Sequence, residues 1–246
     1  MKKLKVNSLD RYKDYLIIDN NKTKVIFSTA EADKNFNRNT EEGCKKLSNL
    51  KEEFNVDKVI YLKQVHSDKV LVFHGEKENE IIEKEGDALI TNVRNSIIGV
   101  FTADCVPIIL VDENKGVMAA IHSGWKGTYK SITKKTVDKL INEYKVNPND
   151  IKAYIGPHIR QCCYEVSEDL KNNFIKEKNI SEDKLFLGRN LNMEECILKD
   201  LRECGVIEEN INSVQLCTHC SQEIKLHSYR ASKGAYGRLF SFAILK

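Results

Sequence analysis

Prolines are rare in this sequence, with only three among 246 residues. No stretch rich in proline, glycine or serine divides the chain, and neither an internal repeat nor a low-complexity segment is visible. Such stretches are the usual marks of a linker between domains. The sequence therefore predicts one domain over residues 1–246, a length that suffices to bury a full hydrophobic core.

Long apolar runs are also absent, and none approaches the roughly 18 residues that a membrane-spanning helix needs. The N-terminal segment MKKLKVNSLDRYKDYL has lysines but no apolar core after them, which argues against a secretory signal peptide. The eight cysteines are then interpreted as reduced thiols rather than as a disulfide framework. We predict a cytoplasmic protein that has no membrane partner.

Charge of one sign is not in excess. The chain has 39 basic and 36 acidic residues in mixed order, which gives a formal net charge of +3. A surface that binds nucleic acid usually needs clustered basic residues, and the sequence shows no such cluster. The charge pattern therefore argues against nucleic acid as a partner.

Strand and helix patterns alternate irregularly along the chain. Short apolar runs predict strands at 24–29, 57–62, 87–91, 96–101 and 151–155, and two strands around a turn within 216–246. Apolar residues at helical spacing predict helices at 40–54, 128–144, 167–177 and 192–204. Because a regular βαβ rhythm is missing, we predict an α+β fold, a single-domain sandwich of mixed or antiparallel sheet covered by helices.

The segment from Thr102 to Thr128 holds the most reactive side chains. Its apolar runs VPIILV and GVMAAI are predicted to pair as antiparallel strands around the polar turn DENKG. Cys105 precedes the first strand and His122 follows the second. The pairing therefore brings a thiol and an imidazole to the same edge of the sheet.

Two kinds of chemistry are open to these groups. Together with His66, they offer two imidazoles and a thiolate, and a catalytic zinc usually has three protein ligands of this type. The spacing of His66, Cys105 and His122 is not diagnostic by itself. Alternatively, Cys105 is a nucleophile with His122 as its base, and Asp104 or another acid orients the imidazole. The two interpretations compete, because a thiolate bound to zinc is not free to attack.

The turn SGWKGT leads from the second of these strands into a predicted helix that begins at Thr128. Backbone N–H groups at such a start, near Gly124, can bind an anion, and Trp125 can stack on a flat ligand. Arg230 and Arg238 lie in the predicted C-terminal turn and present planar forks to phosphate or carboxylate. Taken singly, each of these residues also has an ordinary structural explanation.

The remaining cysteines include two close pairs. Cys217 and Cys220 form one CxxC, but a zinc ribbon needs a second such pair. Cys162 and Cys163 are adjacent, so from a strand they cannot both point the same way. We therefore interpret both pairs as thiols that do not share a metal site.

Six motifs follow one another in order along the chain. They are QVHSD (64–68), GDALIT (86–91), TADCVPI (102–108), HSGWKGT (122–128), GPHIRQCCYEV (156–166), and the set CT, SYR and GR (217–218, 228–230 and 237–238). Together they resemble the bacterial laccase-domain family, also called the multicopper polyphenol oxidase or peptidoglycan editing factor family. Its members are described as purine nucleoside phosphorylases, and the resemblance covers nearly the whole chain from about Val25.

The resemblance implies an α+β sandwich with a zinc site, although copper has also been claimed for it. The ligands would be His66, Cys105 and His122, and the same residues would be catalytic. It implies phosphorolysis of adenosine, inosine, guanosine and S-methyl-5'-thioadenosine with inorganic phosphate, and adenosine deaminase activity alongside. A homodimer is one option for the assembly. We expect substrate to be bound by Asp104, Gly124, Trp125, Thr128, Arg230 and Arg238.

One departure from the family pattern lies near the N-terminus. Where the family commonly has STR-x-GG, with an arginine that lines the site, this chain has STAEADKN. Ala30 stands in place of that arginine, and Arg38 is the candidate to substitute for it. Phosphate or ribose binding is therefore less firmly supported by the motifs than the metal trio is.

Three other functions compete with phosphorolysis. A copper-dependent phenol oxidase needs several copper centres, and six scattered histidines make that hard to build. A Cys–His hydrolase acting on an amide or a peptidoglycan fragment would need no phosphate, and its activity would survive removal of metal by a chelator. A metal-dependent binding protein would bind nucleosides without turning them over.

Overall fold

The computed structural model describes residues 1–234 and 237–246. Two large β-sheets account for most of the strands in this part of the chain. The strands are β1 (Lys2–Leu4), β2 (Asp10–Tyr12), β3 (Tyr15–Asp19), β4 (Thr23–Ser28), β5 (Lys58–Ile60), β6 (Val70–Phe73), β7 (Ala88–Thr91), β8 (Ser96–Thr102), β9 (Val106–Asp112), β10 (Val117–Ser123), β11 (Lys152–Ile155), β12 (Phe186–Leu187), β13 (Asn190–Leu191), β14 (Ile211–Val214) and β15 (Leu239–Leu245). The α-helices are α1 (Glu41–Phe54), α2 (Glu78–Ile82), α3 (Trp125–Tyr129), α4 (Ile132–Tyr144), α5 (Glu168–Lys178), α6 (Glu182–Leu185) and α7 (Met193–Glu203).

The first sheet has seven strands in the order β1-β14-β11-β9-β10-β7-β6, and the second has six in the order β2-β3-β4-β15-β8-β5. Both sheets are mixed. In the first, β9 pairs antiparallel with β10 and β11, while β11 and β14 run parallel. In the second, only β5 pairs parallel, with β8. This architecture confirms the predicted α+β fold and the predicted hairpin around DENKG.

Both faces of strand β9 are buried, which explains why its sequence is a continuous apolar run. Ile109 and Val111 pack with the residues between the two sheets, whereas Ile108 and Leu110 pack on the opposite face. Successive side chains of a strand point to opposite faces, so one run of residues supplies two cores. The central hairpin is therefore held from both sides.

Helices cover the outer face of each sheet. The cluster on the outer face of the first sheet includes Val137 of α4 and Ile197 of α7. The cluster on the outer face of the second includes Leu47 and Leu50 of α1, packed with Phe240 of β15. The result is a four-layer arrangement, helix–sheet–sheet–helix. Along the described ranges, no helix combines the length and apolar character needed to cross a membrane.

The predicted helix over 128–144 is wrong at its N-terminal end. The structure has a short helix, α3, that begins at Trp125 with Gly124 as its N-cap, and a second helix, α4, that begins at Ile132. Ser131 separates them with φ of 54°, a left-handed conformation that a continuous helix cannot contain. Thr128 is thus inside α3 and is not an N-cap.

The predicted pair of C-terminal strands is also only half present. β15 is there, but the segment from Cys217 to Cys220 is a turn, closed by the N–H of Ser221 donating to the Cys217 carbonyl at 3.0 Å. Residues 235 and 236, in the predicted basic turn, lie outside the described ranges. The short strands β1–β3 and β14 were not predicted, because their sequences lack a long apolar alternation.

Candidate functional site

The central hairpin brings Cys105 and His122 together through its register. Ser123 at the end of β10 pairs with Val106 at the start of β9, so Cys105 lies one residue beyond that pair. His66 reaches them from the loop between β5 and β6. Sγ of Cys105 lies 3.9 Å from Nε2 of His66. The three ligand atoms of His66, Cys105 and His122 all lie within 4.8 Å of one another.

The loop that carries His66 is held by a buried carboxylate, that of Asp87. Asp87 Oδ1 accepts the backbone N–H of His66 at 3.0 Å, and Oδ2 accepts the N–H and the hydroxyl of Ser67 at 2.6 Å each. His66 has φ of 57°, which non-glycine residues seldom adopt. These hydrogen bonds offset the cost of that conformation. They also fix the backbone position from which the His66 side chain extends toward the site.

Asp87 also orients the second imidazole. Its Oδ1 lies 2.8 Å from Nδ1 of His122, and both side chains are almost fully buried. Because a carboxylate accepts, Nδ1 carries a proton and Nε2 faces the cluster, the arrangement usual behind metal-binding histidines. The sequence left Asp104 or another acid open for this part, and the structure gives it to Asp87. The available signal for Asp87 was its place directly before a buried strand, in GDALIT.

The charges of the three groups favour an ionised sulfur. Burial raises the pKa of the Cys105 thiol, but the imidazoles of His122 and His66 outweigh it and bring that pKa down to about 6. Burial lowers the pKa of His122, whereas Cys105 and Asp87 raise it to about 9 overall. A thiolate at neutral pH suits both metal binding and nucleophilic attack.

Gly124 makes room for the trio. A Cβ atom at this position would lie 3.0 Å from Sγ of Cys105 and 3.0 Å from Cδ2 of His66. Any side chain would therefore enter the space between these ligands. The structure places Gly124 beside the site, as the sequence predicted, but it acts there through the absence of a side chain.

Helix α3 follows directly and carries two more of the predicted substrate residues. Trp125 is 37% exposed, and Nζ of Lys126 lies 5.6 Å from the centroid of its ring system. Thr128 is buried instead, and its hydroxyl lies 2.8 Å from that of Ser123. The indole is accessible to a ligand, whereas the Thr128 hydroxyl stabilises the turn.

Asp104 holds the turn that presents Cys105. Its φ is 101°, and its carboxylate accepts the hydroxyl of Thr218 at 2.6 Å and the backbone N–H of Arg230 at 2.8 Å. Its carbonyl oxygen accepts the N–H of Ile159 at 2.9 Å. Asp104 thus ties three separate segments to the base of β9.

The two predicted arginines lie in different surroundings. The guanidinium of Arg230 donates to the carbonyl oxygen of Glu165 at 3.1 Å and lies 5.6 Å from the ring centroid of Tyr164. Its backbone bond to Asp104 places Arg230 near the turn that presents Cys105. The backbone N–H of Arg238 donates to Oδ1 of Asn35 at 2.8 Å, which places Arg238 beside the segment before α1.

The guanidinium of Arg38, the candidate to substitute for the family arginine that Ala30 replaces, is held by several partners. It donates to the carbonyl oxygens of Leu62 and Ile82 at 3.2 Å each and pairs with Glu83 at 2.8 Å. These bonds pin Arg38 between β5 and α2. Ala30 itself is fully buried.

A second group of possible metal ligands lies where no metal site was predicted. The sulfur atoms of Cys162, Cys163, Cys217 and Cys220 lie within 4.8 Å of one another. The premise that Cys162 and Cys163 lie on a strand is wrong, because residues 161–163 form a turn. In a turn, adjacent side chains can face the same centre.

The fold has a close counterpart among solved structures. The hypothetical protein YfiH of Bacillus licheniformis superposes with a TM-score of 0.87 over 96% of this chain and 97% of that one, at 26% identity. Fold and site therefore define a two-sheet α+β sandwich with a His/Cys/His group where the central hairpin's strands begin and end.

The family follows from the sequence comparison. Residues 23–246 match the family described as multi-copper polyphenol oxidoreductase laccase, and the chain belongs to this laccase-domain family. A purine nucleoside phosphorylase of Clostridium acetobutylicum is 44% identical over 99% of this chain and 100% of its own length. An adenosine deaminase, RL5, from an unknown prokaryotic organism is 31% identical over 74% of this chain and 76% of its own. The predicted family membership is confirmed.

Proposed function

We propose that this protein is a purine nucleoside phosphorylase that acts at His66, Cys105 and His122. The observation that carries the proposal is the convergence of these three side chains, with Asp87 behind His122, in a chain 44% identical over its length to a protein named for that activity. The substrates would be adenosine, inosine, guanosine and S-methyl-5'-thioadenosine, each with inorganic phosphate. We also propose adenosine deaminase activity, which is supported by the relative named as an adenosine deaminase.

The trio fits one metal ion of the zinc or copper type. Two imidazole nitrogens and a thiolate are donors that such ions prefer, and the Asp87–His122 bond supplies the usual support behind the ligand. His66, Cys105 and His122 would hold the ion. When bound, it would supply Lewis acidity and an activated water, which deamination requires.

In phosphorolysis, phosphate attacks the anomeric carbon while the bond to the purine nitrogen breaks, and the electron pair leaves with the base. The departing purine needs a proton on the nitrogen that leaves the sugar, and because both imidazoles would hold the ion, an imidazole of the trio can donate that proton only when it is not a ligand. Trp125 offers an exposed aromatic face for the base. Arg230 has N–H donors beyond those given to Glu165 and is our candidate for binding phosphate.

A phenol oxidase with several copper centres is not supported by this site. Among the residues that the structure describes, the groups suited to a metal are the His/Cys/His trio and the four-cysteine group. Together these two groups hold only two histidines, and a multicopper centre needs many imidazole ligands.

A Cys–His hydrolase is a second candidate, because the structure adds the acid that such an enzyme uses. Cys105, His122 and Asp87 form a thiol–imidazole–carboxylate series, and the pKa of the thiol is lowered to about 6. This enzyme would need neither phosphate nor metal. The two candidates are therefore separated by phosphate dependence and by chelation.

The test is an incubation of the purified protein with adenosine, with and without phosphate, followed by separation of the products. We expect ribose 1-phosphate and adenine only when phosphate is present, and inosine from deamination in either case. Cys105→Ala and His122→Ala should abolish ribose 1-phosphate release, while Cys44→Ser, at an exposed cysteine far along the chain, should leave it unchanged. Full activity in both trio variants would remove the trio from catalysis.

A further inference from the structure

Two turns meet beside the first sheet and bring four cysteines together. Residues 161–163 follow β11, and residues 217–220 follow β14. β11 and β14 are parallel neighbours, so the chain leaves both at the same edge of the sheet. His158 and Cys217 extend this pairing by a parallel bridge, and the N–H of Thr218 donates to the His158 carbonyl at 3.0 Å. The juxtaposition is thus fixed by the fold.

The sulfur atoms lie close enough together to surround one tetrahedral ion. All four Sγ atoms lie within 4.8 Å of one another, and Sγ of Cys162 lies 3.7 Å from Sγ of Cys220. Zinc–sulfur bonds of about 2.3 Å in a tetrahedron place the sulfurs about 3.8 Å apart. A disulfide would need about 2.05 Å, and all of these cysteines are free.

Backbone N–H groups point at the most buried of the four sulfurs. The N–H of Arg160 donates to Sγ of Cys217 at 3.5 Å, and the N–H groups of His219 and Cys220 also face it. Cys217 is only 6% exposed. Donors gathered around a buried sulfur stabilise negative charge on it, as they do around metal thiolates.

We propose that Cys162, Cys163, Cys217 and Cys220 bind one zinc ion as a closed structural site, separate from the His66, Cys105 and His122 trio. Four thiolates are the donor set of structural zinc, and they leave no position for substrate or water. The CxxC at 217–220 supplies one half of the site, and the adjacent pair at 162–163 supplies the other.

Such an ion would link the two segments that support the trio. The turn at 217–220 carries Thr218, whose hydroxyl binds Asp104. The turn at 161–163 leads into Tyr164, which lies under the guanidinium of Arg230. The zinc would therefore be a positioning element for Asp104 and Arg230, without contact to substrate. The proposal does not depend on which reaction the trio carries out.

The test is the zinc content of the full chain purified under reducing conditions, measured by elemental analysis. In the variant Cys105→Ala/His122→Ala, which lacks two ligands of the trio, we expect about one zinc ion per chain to remain. Adding Cys162→Ser/Cys220→Ser, at the two exposed members of the group, should remove it. Cys44→Ser in the same background is the control and should keep the ion.

Cobalt in place of zinc gives a readout that does not depend on how the variants fold. The intensity of the sulfur-to-cobalt absorption in the wild-type protein should correspond to one ion bound by about four thiolates. The trio has only one thiolate and would give a much weaker band. The proposal is overturned if the trio variant, folded by circular dichroism, contains no zinc, or if zinc persists when Cys162→Ser/Cys220→Ser is added to that trio variant. An iron–sulfur chromophore or a Cys162–Cys220 disulfide in the freshly purified protein would also overturn it.

Discussion

Asp87 serves both histidines of the site with a single carboxylate. One oxygen accepts from the backbone of His66 and from Nδ1 of His122, and the other accepts twice from Ser67. The same group thus sets the position of one imidazole through the backbone and the tautomer of the other through its ring. Because the carboxylate is buried, each of these bonds is costly to lose.

Asp87→Asn should therefore weaken metal binding without removing a ligand. In asparagine, an NH2 group replaces one of the two carboxylate oxygens. That NH2 group would face the N–H or O–H groups that now donate to Asp87. We expect affinity for zinc at the trio to fall about 10- to 100-fold and the free energy of unfolding to fall by about 1–3 kcal/mol. Competition with a chromophoric chelator and thermal unfolding measure the two effects.

The matched control for this change is Asp68→Asn. Asp68 lies on the same loop but pairs with the exposed lysines Lys130 and Lys135, and pairs of this kind contribute about 0–1 kcal/mol. Equal affinities for zinc in Asp87→Asn and Asp68→Asn would contradict the orienting role.

Gly124→Ala tests the space between the ligands. The backbone of Gly124 has φ of −74°, which alanine adopts freely, but the added Cβ would lie 3.0 Å from Sγ of Cys105. The melting temperature should therefore stay near that of the wild type while kcat/KM falls about tenfold or more through misplacement of the trio. An unchanged kcat/KM would show that catalysis does not depend on the space beside Gly124.

At the scale of elements, the site is assembled from a hairpin, the loop before β6 and the turn after β14. The hairpin β9–β10 supplies Cys105 and His122 by register, and the loop before β6 supplies His66. The loop is fastened by Gln64, whose side-chain amide both donates to and accepts from the backbone of Phe101 on β8. The turn after β14 is fastened through Thr218 to Asp104.

Thr218→Val should loosen this last connection. It removes a buried hydroxyl that donates to Asp104 at 2.6 Å, so a carboxylate oxygen loses its partner. We expect a loss of about 1–3 kcal/mol in unfolding free energy together with a lower kcat/KM. Thr218→Ser keeps the hydroxyl and should restore both. If serine and valine behave alike, the hydrogen bond is not what matters.

At the scale of the whole molecule, aromatic side chains fill the space between α1 and the second sheet. Phe240 stacks on Phe242 with ring centroids 5.2 Å apart. Gly99 on β8 allows this, because a Cβ there would lie 2.4 Å from Cζ of Phe240. This layer lies on the far side of the second sheet from the trio.

Gly99→Ala should accordingly affect stability more than activity. The extra methyl group must displace packed rings, and we expect a loss of about 1–3 kcal/mol in unfolding free energy. Below the unfolding transition, kcat/KM should remain close to that of the wild type. Asn49→Ala on the exposed face of α1 is the control, with an expected change within about 0.5 kcal/mol. Chemical denaturation would decide between a packing role and none.

Local patterns predicted much of this fold from the sequence. The helix at 40–54 was visible from its periodicity, and it begins after Thr40, whose hydroxyl caps the N–H of Gly43. The hairpin was visible because both faces of β9 are buried. The break at Ser131 was not, since neither glycine nor proline marks it.

The support of the site was harder to predict than its ligands. Asp87 is 35 residues from His122 in the chain and becomes its partner only when β7 pairs with β10. The four cysteines likewise meet only because β11 and β14 are parallel neighbours. Contacts of this kind depend on topology, which composition and spacing do not specify.

The most direct measurement is the rate of ribose 1-phosphate release from adenosine and phosphate after removal and return of metal. We predict that chelation of the wild-type protein stops release, that zinc restores it, and that Cys105→Ala treated identically stays inactive at every zinc concentration. A chelated wild-type protein that retains its full rate, or a Cys105→Ala protein that recovers with zinc, would contradict the assignment of the reaction to His66, Cys105 and His122.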